Sequence, residues 1–72
     1  MTPCATWTAK VRHVSNDLRA DVWNGGMHGR SLCGVVVRDE QSLNAGRYMY
    51  GLPLLGIADL PPCRRCHPEV PR

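Results

Sequence analysis

The chain has no phenylalanine, a single lysine, and only two tryptophans and two tyrosines to supply aromatic surface. With 72 residues and 43% apolar composition, such a chain builds one domain with a thin core. At this length an apolar interior alone contributes only a few kcal/mol, and a disulfide, a metal or a partner is commonly added. No apolar run approaches the ~18 residues of a membrane span, so a membrane protein of the helical kind is not expected. Met1 is followed by Thr-Pro-Cys-Ala-Thr-Trp and not by a charged segment and an apolar stretch, and the expectation is a soluble chain of the cytoplasm. Six prolines and seven glycines leave little room for long helices. No internal repeat and no low-complexity segment is found.

Charge of one sign is also scarce. The formal balance is +3, and binding a dication through three thiolates lowers it, which is short of the density that announces a nucleic-acid binder. Arginine outnumbers lysine eight to one; that bias fits forked recognition of phosphate or carboxylate, and the codon usage of a GC-rich genome produces it too. Catalytic patterns are missing. There is no phosphate-cradling loop, no nucleophile elbow, and no carboxylate pair beyond Asp39-Glu40, which reads as a solvated loop. The expectation is a protein that is not an enzyme and takes no small-molecule substrate.

What the sequence does hold is four cysteines and three histidines. In a reducing compartment cysteines are expected as metal ligands; in an oxidising one they pair as disulfides. Cys63-Arg64-Arg65-Cys66 has the C-x₂-C spacing that puts two thiolates on one side of a tight turn, as in zinc ribbons, knuckles and treble clefs. Ser31-Leu32-Cys33-Gly34 supplies a third sulfur, with a glycine that lets backbone N–H groups turn toward it. His28 lies five positions before Cys33, the H-x₄-C half of a knuckle. The expected set is therefore His28, Cys33, Cys63 and Cys66 around Zn²⁺, one imidazole and three thiolates. His13 is the rival fourth ligand, from the inward face of a strand, and Cys4 would make an all-cysteine site.

Two other chemistries share the closing cysteines. A thioredoxin-like redox pair needs a helix running on from them, and Pro68 and Pro71 cut any such helix short. Cys63-Arg64-Arg65-Cys66-His67 also matches C-x-x-C-H, the attachment motif of c-type haem, in which Met27 or Met49 would have to serve as distal ligand. That chemistry calls for export and a helical pocket.

Along the chain, Trp7, Ala9, Val11 and His13 alternate with Thr8, Lys10 and Arg12, the period of a half-buried strand over 6–14. Leu18 to Trp23 reads as a short strand, and Asn24-Gly25-Gly26 as the hairpin turn that folds it back on Met27 to Leu32. Val35-Val36-Val37 is the strongest β-forming run and is expected as a central strand. Asn44-Ala45-Gly46 reads as a second turn, with Tyr48-Met49-Tyr50 returning as a strand. Gly51 to Ile57, apolar but broken by proline and glycine, is expected as a loop packed over the core. The expected fold is small, metal-stabilised and mainly β, zinc-ribbon or knuckle-like, with short antiparallel strands and long loops.

Arg30-Ser31-Leu32-Cys33-Gly34 and Cys63-Arg64-Arg65-Cys66, with His28 or His13 as the histidine, resemble the boxes of the short zinc-finger proteins of actinobacteria and their phages. The resemblance covers about nine positions. It implies zinc, and a cytoplasm that would be the host's if the chain is phage-encoded. It says little about a partner. Two differences stand out: a long stretch separates the boxes, and Pro68 follows the second cysteine pair where a helix often runs.

A closed four-ligand site holds a fold and leaves no position open for water, so a binding role is expected. A protein partner such as transcription machinery or a host enzyme would be met by Leu52, Leu54, Leu55 and Ile57, a segment too apolar for a free loop. The alternative is a nucleic acid, with Arg30, Arg64 and Arg65 on phosphates and Trp23, Tyr48 or Tyr50 stacked on bases.

Overall fold

A computed structural model describes residues 1–67. Five short strands, β1 (Thr2–Cys4), β2 (His13–Ser15), β3 (Arg19–Ala20), β4 (Met27–Arg30) and β5 (Val36–Arg38), precede one helix, α1 (Glu40–Met49), and a single 3₁₀ turn at Ile57–Asp59. All named strand pairs are antiparallel: β1 with β2, and β3–β4–β5 in that order. The two sheets are tied where Ala5 and Arg38 exchange backbone hydrogen bonds of 3.0 and 2.9 Å. The mainly β, short-stranded architecture is the one expected.

The β3–β4 hairpin turns at the expected place, because Gly25 and Gly26 adopt φ of +80° and +70°, a region open to glycine at no steric cost. Asp21 organises the turn. One carboxylate oxygen accepts the backbone N–H groups of Trp23 and Asn24 at 3.1 and 3.0 Å, and the other accepts the Asn24 side-chain amide at 3.2 Å.

Three segments differ from expectation. The alternation over 6–14 is interrupted, since the Thr6 carbonyl accepts the Ala9 N–H at 2.9 Å and Ala9 sits at φ +52°. A turn there leaves only the last residues, from His13, to pair as a strand. The Val35–Val37 run does form a strand from Val36, but at the side of its sheet, with β4 in the centre; Val37 is buried and Val36 exposed.

The largest difference is α1, which occupies the polar stretch read as loop, turn and strand. Its cause lies in side chains that serve the neighbouring backbone. Asp39 is the N-cap, its carboxylate accepting the Ser42 N–H at 2.9 Å and the Met27 N–H at 3.0 Å, the bonding that satisfies a free helix-end donor. Glu40 then accepts the Ile57 N–H at 2.8 Å, so neither acid is a solvated loop residue. Asn44 clamps Leu55 through both ends of its amide, at 2.9 and 3.0 Å, and Arg47 donates to the Pro53 carbonyl. The expected loop over 51–57 is thus held against the helix by polar groups, while Leu43 turns inward.

The core these elements enclose is as thin as the composition implied. Ala5, Leu43 and Ile57 form its centre, with Ala9, Leu55 and Leu60 partly buried against it. Pro68 and Pro71, expected to end a helix, lie outside the described residues.

Candidate metal centre

His13, Cys33, Cys63 and Cys66 come together from three parts of the chain, with one ligand atom from each and all four atoms within 4.8 Å of one another. His13 opens β2 and is buried. Cys33 stands on the turn between β4 and β5, closed by Gly34 N–H on the Ser31 carbonyl and Ser31 N–H on the Val35 carbonyl, each at 2.9 Å. That turn needs φ +95° at Gly34, a value that penalises any side chain. The closing Cys63–Cys66 turn is brought to His13 by its neighbour: Arg12 N–H donates to Pro61 at 2.7 Å, and Cys63 N–H donates back to Arg12 at 2.8 Å. Leu32 N–H on the Val14 carbonyl, 3.0 Å, seats the Cys33 turn on the same strand.

The two distances from the imidazole suit a tetrahedral ion. Imidazole and thiolate bond lengths of about 2.0 and 2.3 Å around a tetrahedral centre place N and S about 3.5 Å apart. His13 Nδ1 lies 3.4 Å from Cys66 Sγ and 3.5 Å from Cys33 Sγ. A single N–H cannot be aimed at two sulfurs in different directions, whereas one ion between the donors accounts for both distances. These residues can therefore hold a metal ion.

The surroundings favour thiolate on part of the site. Burial raises the Cys66 thiol, but the N–H groups of Val14 and Cys33 and the side chains of His13 and Cys33 outweigh it and bring the group down to about 6. At Cys33 burial wins and the thiol is raised, against opposing help from Ser31, whose Oγ is 3.1 Å from the sulfur, and from the Val35 N–H. Such N–H donors are the outer partners that orient metal ligands and spread their charge.

Cys33, Cys63 and Cys66 of the expected set lie in this cluster, and the histidine with them is His13 where His28 was expected. His28 points away from the sulfurs, its Nδ1 3.2 Å from Asp21 Oδ2, and His13 provides the imidazole. The signal available in the sequence was the position of His13 at the buried end of an alternating run. The H-x₄-C spacing of His28 outweighed it, although a strand sends residues five apart to opposite faces. Cys4 pairs with His13 across β1–β2 and is fully buried, yet is not one of the four donors. Burial first, then the charges of Cys66, Cys33 and Asp39, push its thiol up to about 11. His67, next to Cys66, donates its N–H to the Cys63 carbonyl at 2.9 Å.

The residues expected to meet partners are dispersed. Arg64 and Arg65 are exposed on the closing turn, and Arg30 donates to the Gly34 carbonyl at 2.9 Å beside the Cys33 turn. Of the apolar segment, Ile57 is buried in the core and Leu55 packs against it, so neither offers a contact; Leu52 and Leu54 are exposed. No described helix is long and apolar enough to cross a membrane.

No protein-family model, curated protein or solved structure matches the chain.

Proposed function

We propose that the chain is a non-enzymatic binding module folded around a structural Zn²⁺. The observation that carries this reading is the closed donor set of His13, Cys33, Cys63 and Cys66, a common composition for structural zinc. Four protein ligands complete the tetrahedron, so the ion has no position for water or substrate and serves to hold three distant segments together. A core centred on Ala5, Leu43 and Ile57 leaves that role to the metal. Both sulfurs of the closing pair belong to this set, which removes the support for a haem attached through Cys63 and Cys66. The boxes shared with short zinc-finger proteins agree with the reading.

The test is metal per chain and the response to a chelator. One zinc per purified chain is expected, with loss of the folded circular-dichroism signal when a strong chelator strips it and recovery when zinc is restored. A metal-free chain that stays folded, or a folded chain indifferent to the chelator, defeats the reading.

A second reading concerns the partner. Tyr48, Met49, Leu52 and Leu54 stand exposed around the end of α1, in the tyrosine- and methionine-bearing composition of protein contacts. A protein docked there, such as a component of transcription machinery or a host enzyme, would survive ~0.5 M salt in a pull-down, because apolar contact is not screened. Loss of the captured protein at that salt counts against it.

A further inference from the structure

We infer that one face of the β3–β4–β5 sheet and the cleft beside it bind single-stranded nucleic acid, an inference that rests on the reading of the chain as a binding module. The first observation is a cross-strand row. Arg19 pairs with His28, and His28 with Arg38, so three basic side chains stand opposite one another on one face of the sheet. Arg30, two residues along β4, shares that face.

Arg19, Arg30 and Arg38 on that face make a positive strip that attracts a counter-charge. Asp21 supplies part of it, with one oxygen, Oδ2, 3.2 Å from both His28 Nδ1 and Arg38 Nη1. Arg19 and Arg30 have no acidic partner among the described residues. A polyanion completes what one carboxylate leaves undone, and the phosphate chain of a nucleic acid is an anion with that repeat.

The second observation is where the row leads. Arg38 also lines an open cleft of about 520 Å³ whose other walls include Trp7, Met49, Tyr50 and Asn24. This volume falls in the range of small-ligand sites. The cleft is built against local preference. Gly46 sits inside α1, where glycine weakens a helix by about as much as any residue but proline, because a Cβ there would lie 2.5 Å from Trp7 Cη2. Trp7 is carried by the turn in which Ala9 takes the left-handed conformation, and with this placement it stays 50% exposed, while Tyr50 is 76% exposed. Trp23, 90% exposed, stands on the hairpin tip that Asp21 orders.

Aromatic faces next to a basic track are the means by which unpaired bases are held, since every base has a face to stack. Asn24 and Arg38 add an amide and a guanidinium at the edge of the same cleft. A duplex hides its bases from such a cleft, so single strands are the fitting class.

The experiment uses the full chain with its zinc content measured on the same sample, and fluorescence anisotropy of a labelled oligothymidylate of about 12 nucleotides. Binding is expected at about 50 mM salt and should weaken steeply toward about 200 mM. A competing duplex of equal length should displace the probe poorly. Tyr50→Ala, on an exposed helix end, should weaken binding at least about fivefold by loss of one stack. Arg19→Gln should lower the slope of log affinity against log salt by about 0.7.

Zinc-loaded chain that ignores the oligonucleotide, binds the duplex equally well, or is unmoved by both substitutions overturns the inference alone. A protein partner at the end of α1 then becomes the better account of the exposed aromatics. Folded chain that lacks zinc yet binds single strands keeps the inference and overturns the zinc-stapled reading instead.

Discussion

His28 Nδ1 lies 3.2 Å from Asp21 Oδ2, and that contact takes one of the three histidines out of the metal site and makes it a brace for a hairpin. Asp21 holds its proton weakly, well below the usual carboxylate range, because the Asn24 backbone and side-chain donors, opposed by burial and joined by Trp23 and His28, favour the ionised form. Metal per chain should therefore separate the histidines. His28→Ala should keep one zinc and loosen the hairpin, whereas His13→Ala should lose the metal or bind it at least about tenfold more weakly. Equal retention in both variants would remove His13 from the site.

Cys4 and His13 face one another across β1–β2, but the two should respond to reagents and substitution in opposite ways. A fully buried thiol pushed up to about 11 is a poor nucleophile at neutral pH. With zinc bound, Cys4 should be the last cysteine alkylated by iodoacetamide in native conditions, and Cys4→Ser should retain the metal. Mass spectrometry of timed alkylation checks both, and early modification of Cys4 would contradict its place in the core.

Stability should climb with pH across the near-neutral range. Cys66, brought down to about 6, binds fewer protons when folded than when unfolded between about pH 6 and the ordinary thiol value of about 8.5. The unfolded state holds the extra proton there, so its contribution to stability rises with pH through that window and is lost as pH falls toward 6. Cys4 acts oppositely. Its folded value of about 11 means the folded chain keeps a proton the unfolded one sheds, so its contribution falls between about pH 8.5 and about 11. Asp21 contributes above the ordinary carboxylate value of about 3.9, and this is lost in stronger acid. Zinc, competing with protons for the same sulfur, should be retained near neutrality and released in acid, as read by a chromogenic chelator.

Gly46 should resist the substitution that helix propensity favours. Alanine gains roughly 1 kcal/mol over glycine inside a helix, but here its Cβ would meet the Trp7 ring at 2.5 Å, and overpacking of this kind costs about 1–3 kcal/mol. Gly46→Ala should thus be neutral to destabilising on its own and stabilising by roughly 0.5–1 kcal/mol in a Trp7→Ala background. Additive effects in that double-mutant cycle, read by chemical denaturation of zinc-loaded chain, would show that Trp7 does not rest on Gly46.

Part of the molecule is legible in the sequence because the information is local. Two cysteines three apart close one turn by themselves, Asn24-Gly25-Gly26 turns by its own dihedral preferences, and the shortage of large apolar residues announces a thin core wherever they go. The helix at Glu40–Met49 was not legible. Its Asn44, Gly46 and Arg47 look like turn residues until the loop over 53–57 and the Trp7 ring are in place to use an amide, a missing Cβ and a guanidinium.

The sequence by itself determined the three sulfurs of the site, Cys33, Cys63 and Cys66, and the need for something beyond an apolar core. Tertiary structure decided which imidazole joins them, because Nδ1 of His13 reaches two sulfurs 20 and 53 residues away only once Arg12 has zipped the closing turn to the start of β2. Spacing along a chain reports reach within one turn; distance across two sheets depends on backbone hydrogen bonds that no single segment carries.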